Sequence, residues 1–229
     1  KSIINKIEEL REEYNKKIEN LKEELHRDID KLLIEFKELS ISEPESDYSD
    51  LSLKLSKQLS LKDKQNEGIF FTSLTNKNLL LENVIKHLDL QEGLDILEPS
   101  CGSCEFIDSL LKINTIGNLD ITGIELNLDI YKEIEDKYDD ICRLINIDFL
   151  KYKSDKQFDL ILGNPPFFMI QLDKEEKKLY KEILNGKVNI YCLFIYKCIK
   201  EHLKDGGILA FILPTSIMNS TSYKNLRKY

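Results

Sequence analysis

The chain has no apolar run of the length a membrane-spanning helix requires, and its mean hydropathy of −0.34 reads as soluble. Five cysteines in 229 residues are too few for a small fold built on disulfides. Positive charge is also in deficit. Lys and Arg number 33 against 41 Asp and Glu, a net charge of −8, which by itself argues against a simple basic clamp for nucleic acid. There is no internal repeat and no low-complexity tract, and the polar, charged start lacks the pattern of a secretory or transit segment. These absences lead to the expectation of a cytoplasmic protein in a reducing compartment. A first residue of Lys rather than Met fits a processed or excised piece.

A length of 229 residues with 41% hydrophobic content suits one α/β domain with an appendage, or two small domains. Residues 1–40 read as one long N-terminal helix or coiled coil. Apolar residues recur through Leu10, Tyr14, Ile18, Leu21 and Leu25 with steps of three and four, and the other faces are charged. Such a stripe packs either on its own domain or on a second copy or partner subunit. Residues 40–50, SISEPESDYSD, read as an acidic linker, and 41–67 as a whole as linker and lead-in helix.

From residue 68 strands and helices alternate as in a doubly wound, mainly parallel sheet. Strands are expected at 94–99, 121–126, 141–147, 158–163 and 207–214. Helices are expected at 75–88, 104–113, 128–138, 174–185 and 189–204, the last stopped by Asp205-Gly206-Gly207. Charge is asymmetric along this region. Residues 68–164 hold 9 bases and 18 acids, whereas residues 165–229 hold 11 bases and 6 acids. A positive half suits phosphates, and plain solvation of a charged surface explains the same counts.

Four strand ends carry the chemistry. The first strand runs into Glu98-Pro99-Ser100-Cys101-Gly102-Ser103-Cys104, small residues that let a ligand approach the backbone at a helix start. The loop lacks the GxGxxG spacing, which disfavours a nicotinamide or flavin dinucleotide. Glu125 ends the second strand, where an acid commonly accepts from ribose hydroxyls. Asp148-Phe149 ends the third, pairing an acceptor for an adenine amino group with a flat ring. Together these outline a nucleoside site. Asn164-Pro165-Pro166-Phe167 ends the fourth. Two prolines stiffen the backbone, so the Asn164 side-chain oxygen and the Pro165 carbonyl can both accept from one amino group. Drawing both hydrogens out of plane makes that nitrogen more nucleophilic, and Phe167 offers a face to the ring bearing it.

The ordered segments GIFFTS, ILEPSCGSCEF, GIEL, IDF, GNPPF and ILAFILPTS resemble S-adenosylmethionine-dependent adenine-N6 DNA methyltransferases of the gamma arrangement. The resemblance covers roughly residues 55–229 and implies a Rossmann-like class I methyltransferase core over residues 68–229. It implies S-adenosyl-L-methionine as cofactor and double-stranded DNA as partner, with no metal and no membrane. Glu98, Ser100 and Gly102 would line the methionine end, with Phe71 and Thr72 closing over it. Glu125 would hold the ribose, and Asp148 and Phe149 the adenine. Asn164, Pro165, Pro166 and Phe167 would grip an extruded target adenine.

Three departures accompany the resemblance. Cys104 stands where the family usually has a second Gly, and Ser73 replaces a Pro. The chain stops at Tyr229, before the family's terminal hairpin and target-recognition domain. Two other readings stay open: the same chemistry on RNA or a protein glutamine, and a silent methyltransferase-fold subunit serving as scaffold. Cys101 and Cys104 form a CxxC with no second pair to complete a zinc site, and read as loop packing. His26, His87 and His202 form no cluster; they read as structural or exposed. Tyr191, Phe194, Ile195 and Cys198 recur at helical spacing and read as core.

Overall fold

The computed structural model describes residues 6, 10–12, 14–18, 20–21, 47–59, 71–88, 93–112, 118–186 and 188–229. The chain divides into two compact units, Lys1–Ser46 and Asp47–Tyr229. In the first, the described residues between 6 and 21 are helical, and Leu10, Tyr14, Ile18 and Leu21 of the apolar stripe are exposed. The remainder of the helix expected over 1–40, with His26, lies outside the described residues, as do residues 68–70 of GIFFTS.

The second unit opens with α1 (Asp50–Gln58), whose N-cap Ser49 accepts from the Ser52 amide. Ser73, at the position where a Pro was expected from the resemblance, caps α2 (Leu74–Ile85) by accepting from the Asn76 amide. Asp47 holds the two segments together, taking hydrogen bonds from the Thr75 amide (3.0 Å) and hydroxyl (2.8 Å). Those bonds, the amide first, keep its carboxyl below the usual carboxylate range.

The elements then alternate: β1 (Leu94–Glu98), α3 (Glu105–Leu111), β2 (Leu119–Glu125), α4 (Leu128–Tyr138), β3 (Arg143–Asn146) and β4 (Phe158–Gly163). β5 (Met169–Ile170), α5 (Lys174–Leu179), β6 (Val188–Asn189), α6 (Ile190–Lys197), β7 (Leu203–Phe211) and α7 (Ser216–Asn219) complete the order. The main sheet runs β3-β2-β1-β4-β7, and its neighbours pair in parallel throughout. β5 and β6 form a separate antiparallel ribbon. This is the Rossmann-like class I methyltransferase topology.

Alternation along the central strands explains why helices are needed on both faces. Ile96 and Leu160 pack with Val84, Phe106, Leu110 and Ile134 of α2, α3 and α4. Their neighbours Leu97 and Ile161 pack on the opposite face with Phe149, Ile190 and Phe194. Strands buried on both faces read as continuous apolar runs, as LDILE and FDLILG do. α6 has almost no polar side because it sits between that second layer and a third cluster containing Leu172, Tyr180, Tyr191 and Tyr223.

Two boundaries differ from expectation. α6 gives way to a π-helical turn at Cys198–His202, and β7 begins at Leu203, so Asp205-Gly206-Gly207 is not the helix stop. Phe158 pairs with Leu203 but Leu160 with Ile208, so residues 204–207 bulge from the ladder. Gly206 supplies the positive φ of 79°, and Lys204 anchors the bulge on Asp95 and Asp159, each at 2.8 Å. α5 is also shorter than the expected 174–185, because residues 180–183 form turns that lead into β6. Among the described residues no helix is long and apolar enough to cross a membrane.

Candidate active site

The carboxyl ends of β1, β2, β3 and β4 converge on one cleft with about 700 Å³ of empty space, open to solvent. A doubly wound sheet leaves its binding crevice at this end, because loops here leave the strands on both sides of the switch in strand order. β1 contributes Pro99, Ser100 and Gly102 to the wall, and β2 contributes Glu125 and Leu126. β3 contributes Ile147, Asp148 and Phe149, and β4 contributes Asn164 and Pro166. Phe71, immediately before α2, closes one side.

The loop after β1 is stitched to β2 by backbone and side-chain bonds. The Cys101 amide donates to the Ile124 carbonyl at 2.9 Å, and the Gly102 amide to Glu125 Oε2 at 2.9 Å. Glu125 Oε1 accepts from the Asn127 amide at 2.7 Å. Asn146 Nδ2 donates to the Glu125 and Leu126 carbonyls at 2.8 and 3.1 Å, fixing the strand tip that carries this acid. Gly102 turns the loop with a φ of 51°, and a Cβ there would meet nothing within 4 Å. The loop therefore has open space where it faces the cleft.

Cys104 has a φ of 61°, and among the described residues it is the non-glycine with positive φ. It is fully buried, so the thiol is packed in the core rather than directed at the cleft. A left-handed L-residue costs about 1–2 kcal/mol, offset in part by that burial. The crowding expected from a residue larger than Gly thus falls on the core side of the loop. All five cysteines are buried free thiols, and no group of potential metal ligands occurs among the described residues.

Glu98 is 2% exposed and stands behind the wall. Its Oε2 has no hydrogen-bond partner among the described residues. Burial, then the nearby acidic groups Cys104, Glu105 and Glu125, push its carboxyl well above the usual carboxylate range. Burial of this kind favours the neutral acid, and its anion is stabilised when a cation is brought to it. Asp148 accepts from the Leu150 amide at 3.0 Å, and Lys151 lies 3.7 Å away. Phe149 is buried against Phe194, with ring centroids 4.8 Å apart.

The fourth strand ends at Gly163, whose φ of 154° swings the chain out of the sheet into Asn164-Pro165-Pro166. Ser100 Oγ donates to the Asn164 carbonyl at 3.3 Å, linking the first and fourth strand-end loops. Asn164 Oδ1 is buried at the cleft wall. Phe167 does not line the cleft; its ring meets Tyr191 edge-on at 6.0 Å. Thr72 and Pro165 likewise stand behind the wall.

Ile130, Phe168, Ile190 and Phe194, none of them marked by a strand-end motif, also line the cleft. Phe168 was legible as the second half of an aromatic doublet. Phe194 is a core residue as expected, Ile190 four positions before it packs in the same cluster, and both side chains also form cleft wall. Lys174, Lys177, Lys178 and Lys181 are exposed around α5, whose Asp173 and Glu176 form a capping box, and Lys178 pairs with Glu175 at 2.7 Å.

His202 is buried behind Phe149, with centroids 5.7 Å apart, and beside Tyr152 at 5.4 Å. Burial, then Lys197, hold its pKa below 6.5, with Glu201 and the Lys156 backbone opposing. The unfolded ring takes up a proton near 6.5 while the folded ring resists it, so stability falls as pH is lowered through that value. Thermal melts at pH 7.5 and 5.5 are expected to show a smaller loss for His202→Phe than for the wild type. Parallel losses in both proteins would remove His202 as the source.

Residues 28–229 match the Eco57I restriction-modification methylase family. Modification methylase CviBIII of Paramecium bursaria Chlorella virus NC1A is 38% identical over 182 residues, 79% of this chain and 46% of the relative. Type II methyltransferase M.CvrRI of Paramecium bursaria Chlorella virus XZ-6E is 34% identical over 176 residues, 77% of this chain and 44% of the relative. The chain thus spans under half the length of these relatives. In fold it is similar to a class I S-adenosylmethionine-dependent methyltransferase from Listeria monocytogenes, with a TM-score of 0.59 and 18% identity over 78% of this chain and 55% of that one. The type I restriction-modification methyltransferase subunit of Streptococcus thermophilus gives the same TM-score and identity over 69% of this chain and 38% of that one. On the match across residues 28–229, the chain belongs to the Eco57I family of restriction-modification methylases.

Proposed function

We propose that the chain carries the methyl-transfer domain of a DNA methyltransferase that modifies adenine N6 on a base extruded from the duplex, with S-adenosyl-L-methionine as donor. The observation that carries this reading is the presence of Asn164 and Pro166 on the same cleft wall as Ser100, Gly102, Glu125 and Asp148. A nucleoside-type pocket and an amine-gripping loop then open into each other.

The residues fit the cofactor. Glu125 is an acceptor for ribose hydroxyls, held by two backbone amides. Asp148 is an acceptor for the adenine amino group beside Ile147 and the edge of Phe149. Glu98 Oε2, buried and without a hydrogen-bond partner among the described residues, suits an ammonium brought near the Ser100–Gly102 loop. Bound there, the cofactor supplies an electrophilic methyl group on a sulfonium.

The chain's own part is orientation and polarisation. Asn164 Oδ1 and the Pro165 carbonyl accept the two hydrogens of the target amine, which localises the nitrogen lone pair without a strong base. The bond from Ser100 to the Asn164 carbonyl keeps that loop in register with the cofactor loop. Phe167 stands edge-on to Tyr191 outside the cleft lining, so an extruded base stacked on its face requires that ring to turn toward the cleft. Alignment of this kind is worth several orders of magnitude in rate.

The proposed methyltransferase domain is residues 68–229, with residues 1–40 and 41–67 ahead of it assigned from sequence alone as an N-terminal segment and a linker with lead-in. The exposed stripe Leu10, Tyr14, Ile18 and Leu21 offers a face for a second copy or a partner subunit. Action on DNA fits the expected cytoplasmic setting with access to DNA. The test offers duplex DNA, RNA and protein with labelled cofactor, followed by digestion of the product to nucleosides. Label in N6-methyladenine from DNA is the expected result. Label in protein alone, or in another base, would overturn the assignment.

A further inference from the structure

Four buried polar side chains outside the cleft join the helices ahead of β1 to the cofactor loop. Ser52 of α1 is 1% exposed, Ser103 3%, and Glu105 of α3 and Lys77 of α2 each 5%. Ser52 Oγ lies 2.7 Å from Ser103 Oγ and donates to Glu105 Oε1 at 2.6 Å. With its proton on Glu105, Ser52 accepts from Ser103. Ser49 Oγ donates to the same carboxylate oxygen, and Lys77 Nζ stands 3.5 Å from Glu105 Oε2. Both carboxylate oxygens are thereby satisfied in a site closed to solvent.

The placement of this network is informative. Ser103 and Glu105 flank Cys104, the left-handed residue that starts α3 with no side-chain cap of its own. The turn is therefore held from outside, by α1 and α2. Lys77 lies four residues after Ser73, the cap that ends the Phe71-Thr72 segment. One network thus ties the Ser100–Gly102 wall of the cleft to the Phe71 wall opposite.

We infer that the Ser52–Glu105–Lys77 network sets cofactor affinity by positioning the loop at Ser100–Cys104, with Glu105 as a positioning residue that does not itself touch the cofactor. The inference rests on the cofactor occupying the cleft as proposed above. Its test is calorimetric titration of S-adenosylmethionine into the full chain and two variants, together with steady-state kinetics at varied cofactor. Ser52→Ala removes one hydroxyl and leaves the ion pair in place. The double variant Glu105→Gln with Lys77→Met removes both buried charges together, so neither is stranded.

Both variants are expected to keep the wild-type circular dichroism spectrum and to weaken cofactor binding 5- to 20-fold. KM for cofactor should rise in step while kcat at saturating cofactor stays within twofold. A packing role alone would lower the melting temperature and leave both binding terms where they were. Folded variants that bind within twofold of the wild type would overturn the inference. A wild-type chain that fails to bind millimolar cofactor would overturn the cofactor reading, and this inference with it.

Discussion

Asn164→Ala is expected to abolish methyl transfer, lowering kcat by at least about 10³-fold while S-adenosylmethionine binding stays within about threefold. The side chain lies on the cleft wall at the end of β4, beyond the strand ends that bear Glu125 and Asp148. On the proposed reading its loss removes one of two acceptors for the target amine and leaves Glu125 and Asp148 in place. The backbone path is set by Gly163 and the following prolines, and Ser100 bonds to the Asn164 carbonyl rather than its side chain. The loop should therefore keep its course in the variant. Single-turnover assays with preformed cofactor complex separate the two effects. Equal loss of binding and turnover would count against the polarising role and assign Asn164 to the architecture of the cleft.

The second large effect is expected at Glu125. Its carboxylate accepts from two backbone amides, those of Gly102 and Asn127, and so organises both the loop after β1 and the start of α4. Glu125→Ala removes these bonds together with the acceptor for the ribose. Hydrogen bonds to a charged group contribute about 1.5–3 kcal/mol each, so cofactor affinity should fall by about 100-fold or more. Glu125→Gln retains an acceptor and should fall between the wild type and the alanine variant. Calorimetry checks both, and an alanine variant that binds within threefold of the wild type would remove Glu125 from the site.

The two variants dissect the cleft along its length. In the proposed reaction Asn164 acts where the amine is polarised, and Glu125 where the nucleoside is held. The network around Glu105 acts on neither ligand directly. It is distinguished from both by raising the cofactor KM while sparing kcat.

Much of this arrangement is legible without coordinates. The five strands of the main sheet overlap the apolar runs that suggested them, because strands buried on both faces need near-continuous hydrophobic sequence. The candidate residues are legible for a related reason. In this topology the crevice lies at the carboxyl ends of the strands, so an acid or an Asn at or just after the end of an apolar run marks a position as well as a chemistry. Ser100, Gly102, Glu125, Asp148, Phe149 and Asn164 were brought to one wall on that logic.

The misplaced boundaries have a common cause in long-range pairing. Asp205-Gly206-Gly207 has the local signature of a helix stop, yet Leu203 already pairs with Phe158 and the glycines serve a bulge anchored by Lys204. The π-helical turn at Cys198–His202 has no local signal, because it follows from how α6 meets that strand.

Strand order of function, then, was written in the one-dimensional pattern: apolar runs that must be buried, each ending in a residue that bears chemistry. Contacts across long loops were not. Phe167 resting on Tyr191, Glu98 set behind the wall, and Ser52 and Lys77 meeting Glu105 all join residues from 24 to 53 positions apart or depend on packing around them. A buried carboxylate selects its partners by position in space, and only the folded chain decides which hydroxyl and which ammonium arrive there.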